Sequence, residues 1–183
     1  MSKEYDDIYD RKESYKCHYS KSPYYKIWMK VAEYIKDTDT VVDIGCGTGQ
    51  MMELLQEKGI NKYIGYDFSQ SGINLAKQKI KDPSKFSVYW QDLYELNSFP
   101  DADDYITIEV LEHLVEDIKV LNLIPKDKKV IITVPNYLGG SHVRKFDTEE
   151  DVKNRYAQVI NCEEITTMNY GNGLIFVMMG KKI

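Results

Sequence analysis

The sequence predicts an α/β protein: a doubly wound, seven-stranded, mostly parallel sheet with an antiparallel last strand. Three observations carry this. Short β-branched runs alternate with helical stretches through the middle of the chain, the rhythm of a parallel sheet clad on both faces by helices. A glycine-rich turn, VVDIGCGTGQ (41–50), links the first such run to the helix after it. Near the C-terminus the alternation stops and two β-rich runs meet at GNG (171–173), which reads as a hairpin.

The first element is SPYYKIWMKVAEYIKD (22–37), with Ser22 as an N-cap and Pro23 at the first helical position. Tyr24, Ile27, Trp28, Val31 and Ile35 form its apolar stripe, and such stripes pack a core more often than they cage a ligand. TVVDI (40–44), KYIGYD (62–67), FSVYW (86–90), DDYITI (103–108) and KVIITV (129–134) read as strands. QMMELLQEKG (50–59), QSGINLAKQKI (70–80) and LEHLVEDIKVLNLI (111–124) read as the helices between them. A helix over 149–157 precedes the hairpin of EEITTMNY (163–170) and LIFVMMGKKI (174–183). No repeat, low-complexity tract or linker interrupts the 183 residues, which are read as one domain (1–183) with an N-terminal cap segment (1–36) and a lid loop (135–151).

Composition bounds the function. Hydrophobic residues make up 43% and charged residues 29%, the balance of a soluble globular protein, and no apolar run reaches the roughly 20 residues of a membrane span. The charged N-terminus has no apolar signal core, so a cytoplasmic location is expected. Three separated cysteines form neither a disulfide framework nor a CxxC pair. The net charge of −5 argues against a nucleic-acid partner, because phosphate binding needs clustered Lys and Arg. A monomer or homodimer with a small-molecule acceptor is the expectation. Tyrosine is abundant, and Tyr5, Tyr9, Tyr15, Tyr19 and Tyr24 crowd the start of the chain.

Gly45, Gly47 and Gly49 stand between a buried strand and a helix, where glycine lets the backbone turn sharply and approach a ligand at the helix N-terminus. Asp67 ends the next strand, about 20 residues on, where a carboxylate can accept ribose hydroxyls. The dinucleotide fingerprint wants its third glycine where Gln50 stands, which weighs against NAD, and no GxxxxGK[ST] phosphate loop is present.

At this point the chain resembles the class I S-adenosylmethionine-dependent methyltransferases, of the small-molecule, ubiquinone-biosynthesis-like type, over roughly residues 22–183. VVDIGCGTG, YIGYDFSQSGINLAKQK, WQDLYEL and ITIEVLEHL, in this order and spacing, carry the likeness. The resemblance implies a Rossmann-like fold, S-adenosyl-L-methionine as cofactor and S-adenosyl-L-homocysteine as product. It implies that Asp43 orients the glycine loop, whose backbone (Gly45, Cys46, Gly47, Gly49) faces the methionine moiety. Asp67 would take the ribose hydroxyls, Phe68 would lie against the adenine, and Gln91, Asp92 and Leu93 would meet the adenine edge. Cys46 reads as a small buried residue rather than a nucleophile. Tyr15 and Tyr19, outside any helix, are further candidate contacts of cofactor or substrate.

Methyl transfer from a sulfonium is an in-line displacement, so the enzyme mainly aligns acceptor, methyl and sulfur and excludes water. Family likeness therefore implies the reaction and leaves the acceptor open. The loop PNYLGGSHVRKFDTEED (135–151) resembles a substrate-facing lid, with His142 as a base or ligand and Arg144 as a holder of an acceptor carboxylate or phosphate.

The stretch IEVLEHL (108–114) concentrates Glu109, Glu112 and His113 where a strand ends. Glu109 is expected to face the cofactor through its backbone. Three readings of the others stay open: Glu112 and His113 as local helix-start residues; His113, His142 and Glu112 as acid/base catalysts; or Glu109, Glu112, His113 and His142 as a divalent-cation set. No metal is assigned. The cation set resembles that of small-RNA 2′-O-methyltransferases, while EVLEH also occurs in ubiquinone-type O-methyltransferases. Transfer to oxygen, or nitrogen, of a small hydroxylated or sugar-linked metabolite is the reading adopted. Its rivals are a nucleic-acid methyltransferase and a non-catalytic cofactor-binding module. The Asn-Pro-Pro-Tyr type of motif of amino-group DNA methylases is missing, since IEVL stands in its place.

Overall fold

The computed structural model describes residues 2–183, with side chains from Tyr5 onward. Strands β1 (Thr40–Ile44), β2 (Lys62–Asp67), β3 (Phe86–Trp90), β4 (Asp104–Ile108), β5 (Lys129–Pro135), β6 (Ile160–Tyr170) and β7 (Gly173–Lys182) form one seven-stranded sheet in the order β3-β2-β1-β4-β5-β7-β6. β1 to β5 are parallel, and β7 enters antiparallel beside β5 with β6 on its outer edge. The strand order reverses between β1 and β4, so their carboxyl ends open a crevice where ligands of such sheets bind.

The period of two along each strand divides the core. On β5, Ile131 joins a layer with Ile27, Val31, Met52, Leu55 and Ile73, whereas Ile132 joins the opposite layer with Leu121, Val152 and Tyr156. The first layer belongs to α3 (Tyr25–Glu33), α4 (Gln50–Lys58) and α5 (Gln70–Lys79), the second to α6 (Asp117–Leu121) and α7 (Glu149–Tyr156). A full capping box at Thr148 and Asp151 starts α7.

Three local expectations are corrected. The helix after Pro23 begins at Tyr25, and Ser22 instead ends a 3-10 turn, Tyr19–Lys21. The predicted helix over 111–124 is broken into a 3-10 turn, Leu111–His113, and the short α6, with Leu114 extended between them. Burying both Leu111 and Glu112 turns the chain inward at a point where an unbroken helix would have kept Glu112 on its wet face. Finally, the Tyr-rich N-terminus forms α1 (Ser2–Arg11) and α2 (Glu13–Lys16), and α1 lies across α5.

No helix among the described residues is long and apolar enough to cross a membrane.

Candidate active site

The glycine loop takes its shape from three left-handed residues, Gly45 (φ +84°), Gly47 (φ +53°) and Gly49 (φ +74°). At Gly45 a methyl group would collide with the Val110 side chain, which closes the turn from the β4 side. The N–H groups of Gly45 and Cys46 donate to the Tyr66 carbonyl, at 2.8 and 2.9 Å. That of Gly47 donates to Asp67 Oδ2 at 2.8 Å. The carboxylate that tethers the loop is thus Asp67. Asp43, expected in that role, lines the same cavity but accepts its hydrogen bond from the Tyr63 hydroxyl. Burial pushes the Asp43 carboxyl up to about 7 and Asp67 to about 6.

Asp67 Oδ1 also accepts from Ser69 N at 2.8 Å. Two of the four lone-pair positions of this carboxylate are thereby committed to the backbone, and two remain for a ligand's hydroxyls. The chain fits the expected nucleoside-bearing cofactor on this count and on the side-chain-free glycine floor beside it. Phe68 lines the same cavity, its carbonyl held by Trp90 Nε1 at 2.9 Å. Asp92 and Leu93 line it too, Asp92 capping a 3-10 turn through Tyr94 N. The Gln91 side chain turns away to the Asp92 carbonyl, and the residue is not part of the cavity wall. Cys46 is buried and its thiol pushed well up by burial, which leaves it inert.

Tyr19 is corrected: its hydroxyl donates to Glu57 at 2.7 Å on the outer side of α4, away from the cavity. Its place is taken by Tyr5, Ile8, Tyr9 and Tyr15. Tyr9 is 8% exposed, with its ring against Gly47 and Gly72, and Asp6 accepts from Ser69 Oγ and Ser71 N. The signal was present in the sequence as an i, i+3, i+4 stripe, Tyr5, Ile8, Tyr9, which reads as one helix face. Tyr24 and Trp28, expected in the core, also form part of the cavity wall.

At the other end of the cavity lies the acidic stretch. Glu109 is the residue that turns the chain off β4, with φ +55°, a conformation uncommon outside glycine. Its N–H donates to Thr133 Oγ1 and its carboxylate accepts from the same hydroxyl, at 2.9 and 3.0 Å. Burial raises Glu109 to about 7. Glu112 is fully buried and also raised, first by burial and then by Glu109. Burial lowers the imidazole of His113 to about 4, and His142 is lowered for the same reason. The two rings meet edge to face with centroids 4.6 Å apart. Glu112, His113 and His142 each offer a ligand atom within 4.8 Å of the others'. Glu109 stands outside that group. His142 thus reaches across from the lid loop to join the acidic stretch.

Arg144 does not face the cavity. Its guanidinium donates to the carbonyls of Leu111, Leu114 and Val115 and pairs with the buried Asp117 at 3.2 Å. The broken helix explains this: where the chain leaves helical geometry after His113, the carbonyls of Leu114 and Val115 lose their helical partners and Arg144 supplies donors for them, adding a second donor to the Leu111 carbonyl, which already accepts from Leu114 N. It holds the turn rather than an acceptor.

Residues from the carboxyl ends of β1, β2 and β4, from the N-terminal helices and from the lid enclose one cavity of ≈ 410 Å³, within the range of small-molecule sites. Fold and site together define a doubly wound α/β domain with a ligand cavity at the carboxyl ends of its parallel strands. Residues 41–125 match the sequence family described as a methyltransferase domain. Ribosomal protein L11 methyltransferase of Thermotoga maritima is 27% identical over 89 residues, 47% of this chain and 34% of that protein. The chain spans about a third of the length of the first curated relatives it matches. Among solved structures, the 1,6-didemethyltoxoflavin-N1-methyltransferase of Burkholderia thailandensis, with 1,6-didemethyltoxoflavin and S-adenosylhomocysteine bound, aligns at a TM-score of 0.72. Identity is 15%, over 99% of this chain and 83% of that one. The magnesium protoporphyrin IX methyltransferase of Synechocystis PCC 6803, with bound SAH, aligns at a TM-score of 0.66 and 17% identity over 86% of this chain and 81% of that one. At these identities the solved structures establish the fold.

Proposed function

We propose that the protein transfers the methyl group of S-adenosylmethionine to oxygen, or nitrogen, of a small acceptor. A single observation carries the reading: the glycine loop tethered to Asp67 and the cluster of Glu112, His113 and His142 open into the same cavity. One end suits a nucleoside with an aliphatic charged tail. The other presents electron-pair donors to whatever approaches the methyl.

In this reading Asp67 takes the ribose hydroxyls, Phe68, Asp92 and Leu93 enclose the adenine, and the backbone of 45–49 receives the methionine part. The acceptor hydroxyl docks against His113 and His142, with the buried Glu112 behind them. Its oxygen attacks the methyl carbon, an O–CH₃ bond forms as the C–S⁺ bond breaks, and the electron pair of that bond neutralises the sulfonium. The hydroxyl proton passes to the acidic end of the cavity. An amine acceptor fits the same geometry with the proton lost from nitrogen. The buried setting excludes water, which would compete with the acceptor.

The reading is tested by incubating the protein with S-adenosylmethionine labelled on the methyl group and a small-metabolite extract, then identifying the labelled product. Label in one small product is the expected result, with Glu112→Gln and His142→Ala slowing turnover by about 10²–10⁴-fold, the range for loss of a positioned acid/base group. Absence of S-adenosylhomocysteine binding by calorimetry would overturn the reading at its root.

A further inference from the structure

The acceptor end of the cavity combines carboxylates with aromatic rings. Glu109 and Glu112 both line it, and the imidazoles beside them, lowered by burial, bring no positive charge at neutral pH. Glu112 has no solvent exposure, and neither of its oxygens has a hydrogen-bond partner among the described residues. Such a carboxyl is rare, because it loses its hydration without replacement. Arg144 is near enough to favour its charged form, but that guanidinium is spent on three carbonyls and Asp117. Glu109 is better placed to meet a ligand. One of its oxygens accepts from Thr133 Oγ1 at 3.0 Å, and the other has no hydrogen-bond partner among the described residues.

Aromatic rings supply the rest of the setting. Tyr15, Tyr24 and Trp28 line the same cavity. Tyr24 stacks on Tyr170 with ring centroids 4.6 Å apart and lies 6.0 Å from the Trp28 ring. The row continues from Tyr170 to Tyr137 at 6.3 Å and from Tyr137 to His142 at 5.8 Å, so it joins Glu109's surroundings to the imidazoles. Burial holds the hydroxyls of Tyr15, Tyr24, Tyr137 and Tyr170 above the ordinary tyrosine range, and the charge of Glu109 adds to this at each of them. The carboxylate is thus set among phenol rings.

A carboxylate beside the faces of tyrosine and indole attracts an organic cation, because ring quadrupole and negative charge act on it together and both act more strongly where water is excluded. The same setting repels a carboxylate or phosphate. Among the described residues that line the cavity, Lys12 is the one Lys or Arg, and it is exposed. We infer that the acceptor is a small organic cation, an amine protonated at neutral pH or a quaternary ammonium. Its charged nitrogen sits between Glu109 and the rings of Tyr24 and Trp28, while its nucleophilic atom points to His113 and His142. Glu109 and Tyr24 then set specificity. That a methyl group is transferred rests on the methyltransferase reading; the preference for positive charge does not.

The test uses the full chain saturated with S-adenosylhomocysteine and titrated by calorimetry with three probes that share a phenol ring and differ in charge: tyramine, tyrosol and 4-hydroxyphenylacetate. Wild type is expected to bind the cation tyramine at least about 10-fold more tightly than neutral tyrosol, the low end for a charge-assisted contact, with the anion weakest. Glu109→Gln should erase the preference for tyramine over tyrosol, and Tyr24→Leu should reduce it by about 3-fold. The ratio is read within each variant, so a general loss of stability does not imitate the effect. In the labelled-methyl assay, the product should be held by a cation exchanger at neutral pH. No binding of tyramine by the wild type, or affinities that are equal or reversed across the series, overturns the inference. So does a preference that survives Glu109→Gln, or a labelled product without a cationic nitrogen. A loss in Glu109→Gln confined to S-adenosylhomocysteine affinity would assign the carboxylate to the cofactor's own ammonium and overturn it too. Absence of S-adenosylhomocysteine binding by the wild type fails the cofactor reading instead, and the same probes on the apo protein then decide the charge preference.

Discussion

Asp67 holds the N–H of Gly47 at 2.8 Å, which joins the end of β2 to the glycine loop after β1. The group expected to grip the cofactor's ribose is therefore the same group that shapes the floor beneath it. Asp67→Asn keeps the size but places an NH₂ where one of two N–H donors needs an acceptor, Gly47 N or Ser69 N. Losing a charge-assisted hydrogen bond costs about 1.5–3 kcal/mol, so S-adenosylhomocysteine affinity should fall roughly 10- to 150-fold by calorimetry.

Acidification should pull binding and stability in opposite directions. As pH falls through about 6, Asp67 takes up a proton and becomes a poorer acceptor, so affinity should drop below that pH. Asp67 and Asp43 both have folded-state values raised by burial, Asp43 to about 7. Their contribution to stability is full below the ordinary Asp value and is lost as pH rises through about 6 and about 7, respectively. For these two groups, the apo protein's melting temperature should rise from about pH 8 to about pH 5 while affinity falls. Calorimetric melts and titrations on one pH series check both signs.

Gly45 and Gly59 both have φ near +84°, yet they should respond differently to alanine. A methyl on Gly59 meets nothing within 4 Å, so Gly59→Ala should cost only the left-handed strain, about 1–2 kcal/mol. A methyl on Gly45 strikes Val110, and Gly45→Ala should cost more and abolish cofactor binding. Urea melts of the two variants side by side give the comparison.

Arg144→Ala should leave the acceptor's KM unchanged and lower stability by about 3 kcal/mol. The variant strips one partner from the fully buried Asp117 and takes the side-chain donor from the Leu114 carbonyl, while the Leu111 carbonyl keeps only its bond from Leu114 N. Arg155 and Tyr156 still hold Asp117, which limits the loss. An unchanged melting temperature with a raised KM would return Arg144 to the acceptor site.

The two halves of the site differ in how far they were legible in the sequence. The cofactor half is local: 41–50 and 62–67 are each contiguous, and glycine spacing with a strand-ending Asp has a direct backbone meaning. The acceptor half is assembled from separate segments. Tyr5, His113 and Ser141 meet through the path of the lid and the docking of α1, which no periodicity encodes. Tyr19 and Arg144 show the same limit from the other side. Both had the residue type and loop setting of a ligand contact, but Glu57 and the carbonyls freed by a broken helix claimed them first. The break itself was hidden because Leu111, Leu114 and Ile118 keep helical spacing across it.

Tyr5 touches three territories at once: the Phe68 ring at 5.3 Å between centroids, His113 at 3.0 Å and Ser141 at 2.9 Å. One hydroxyl on α1 thus latches the cover of the nucleoside pocket to the loop over the acceptor. If the proposed activity holds, this shared contact leads us to expect an entry order, cofactor before acceptor, with methylated product leaving ahead of S-adenosylhomocysteine; product-inhibition patterns check it.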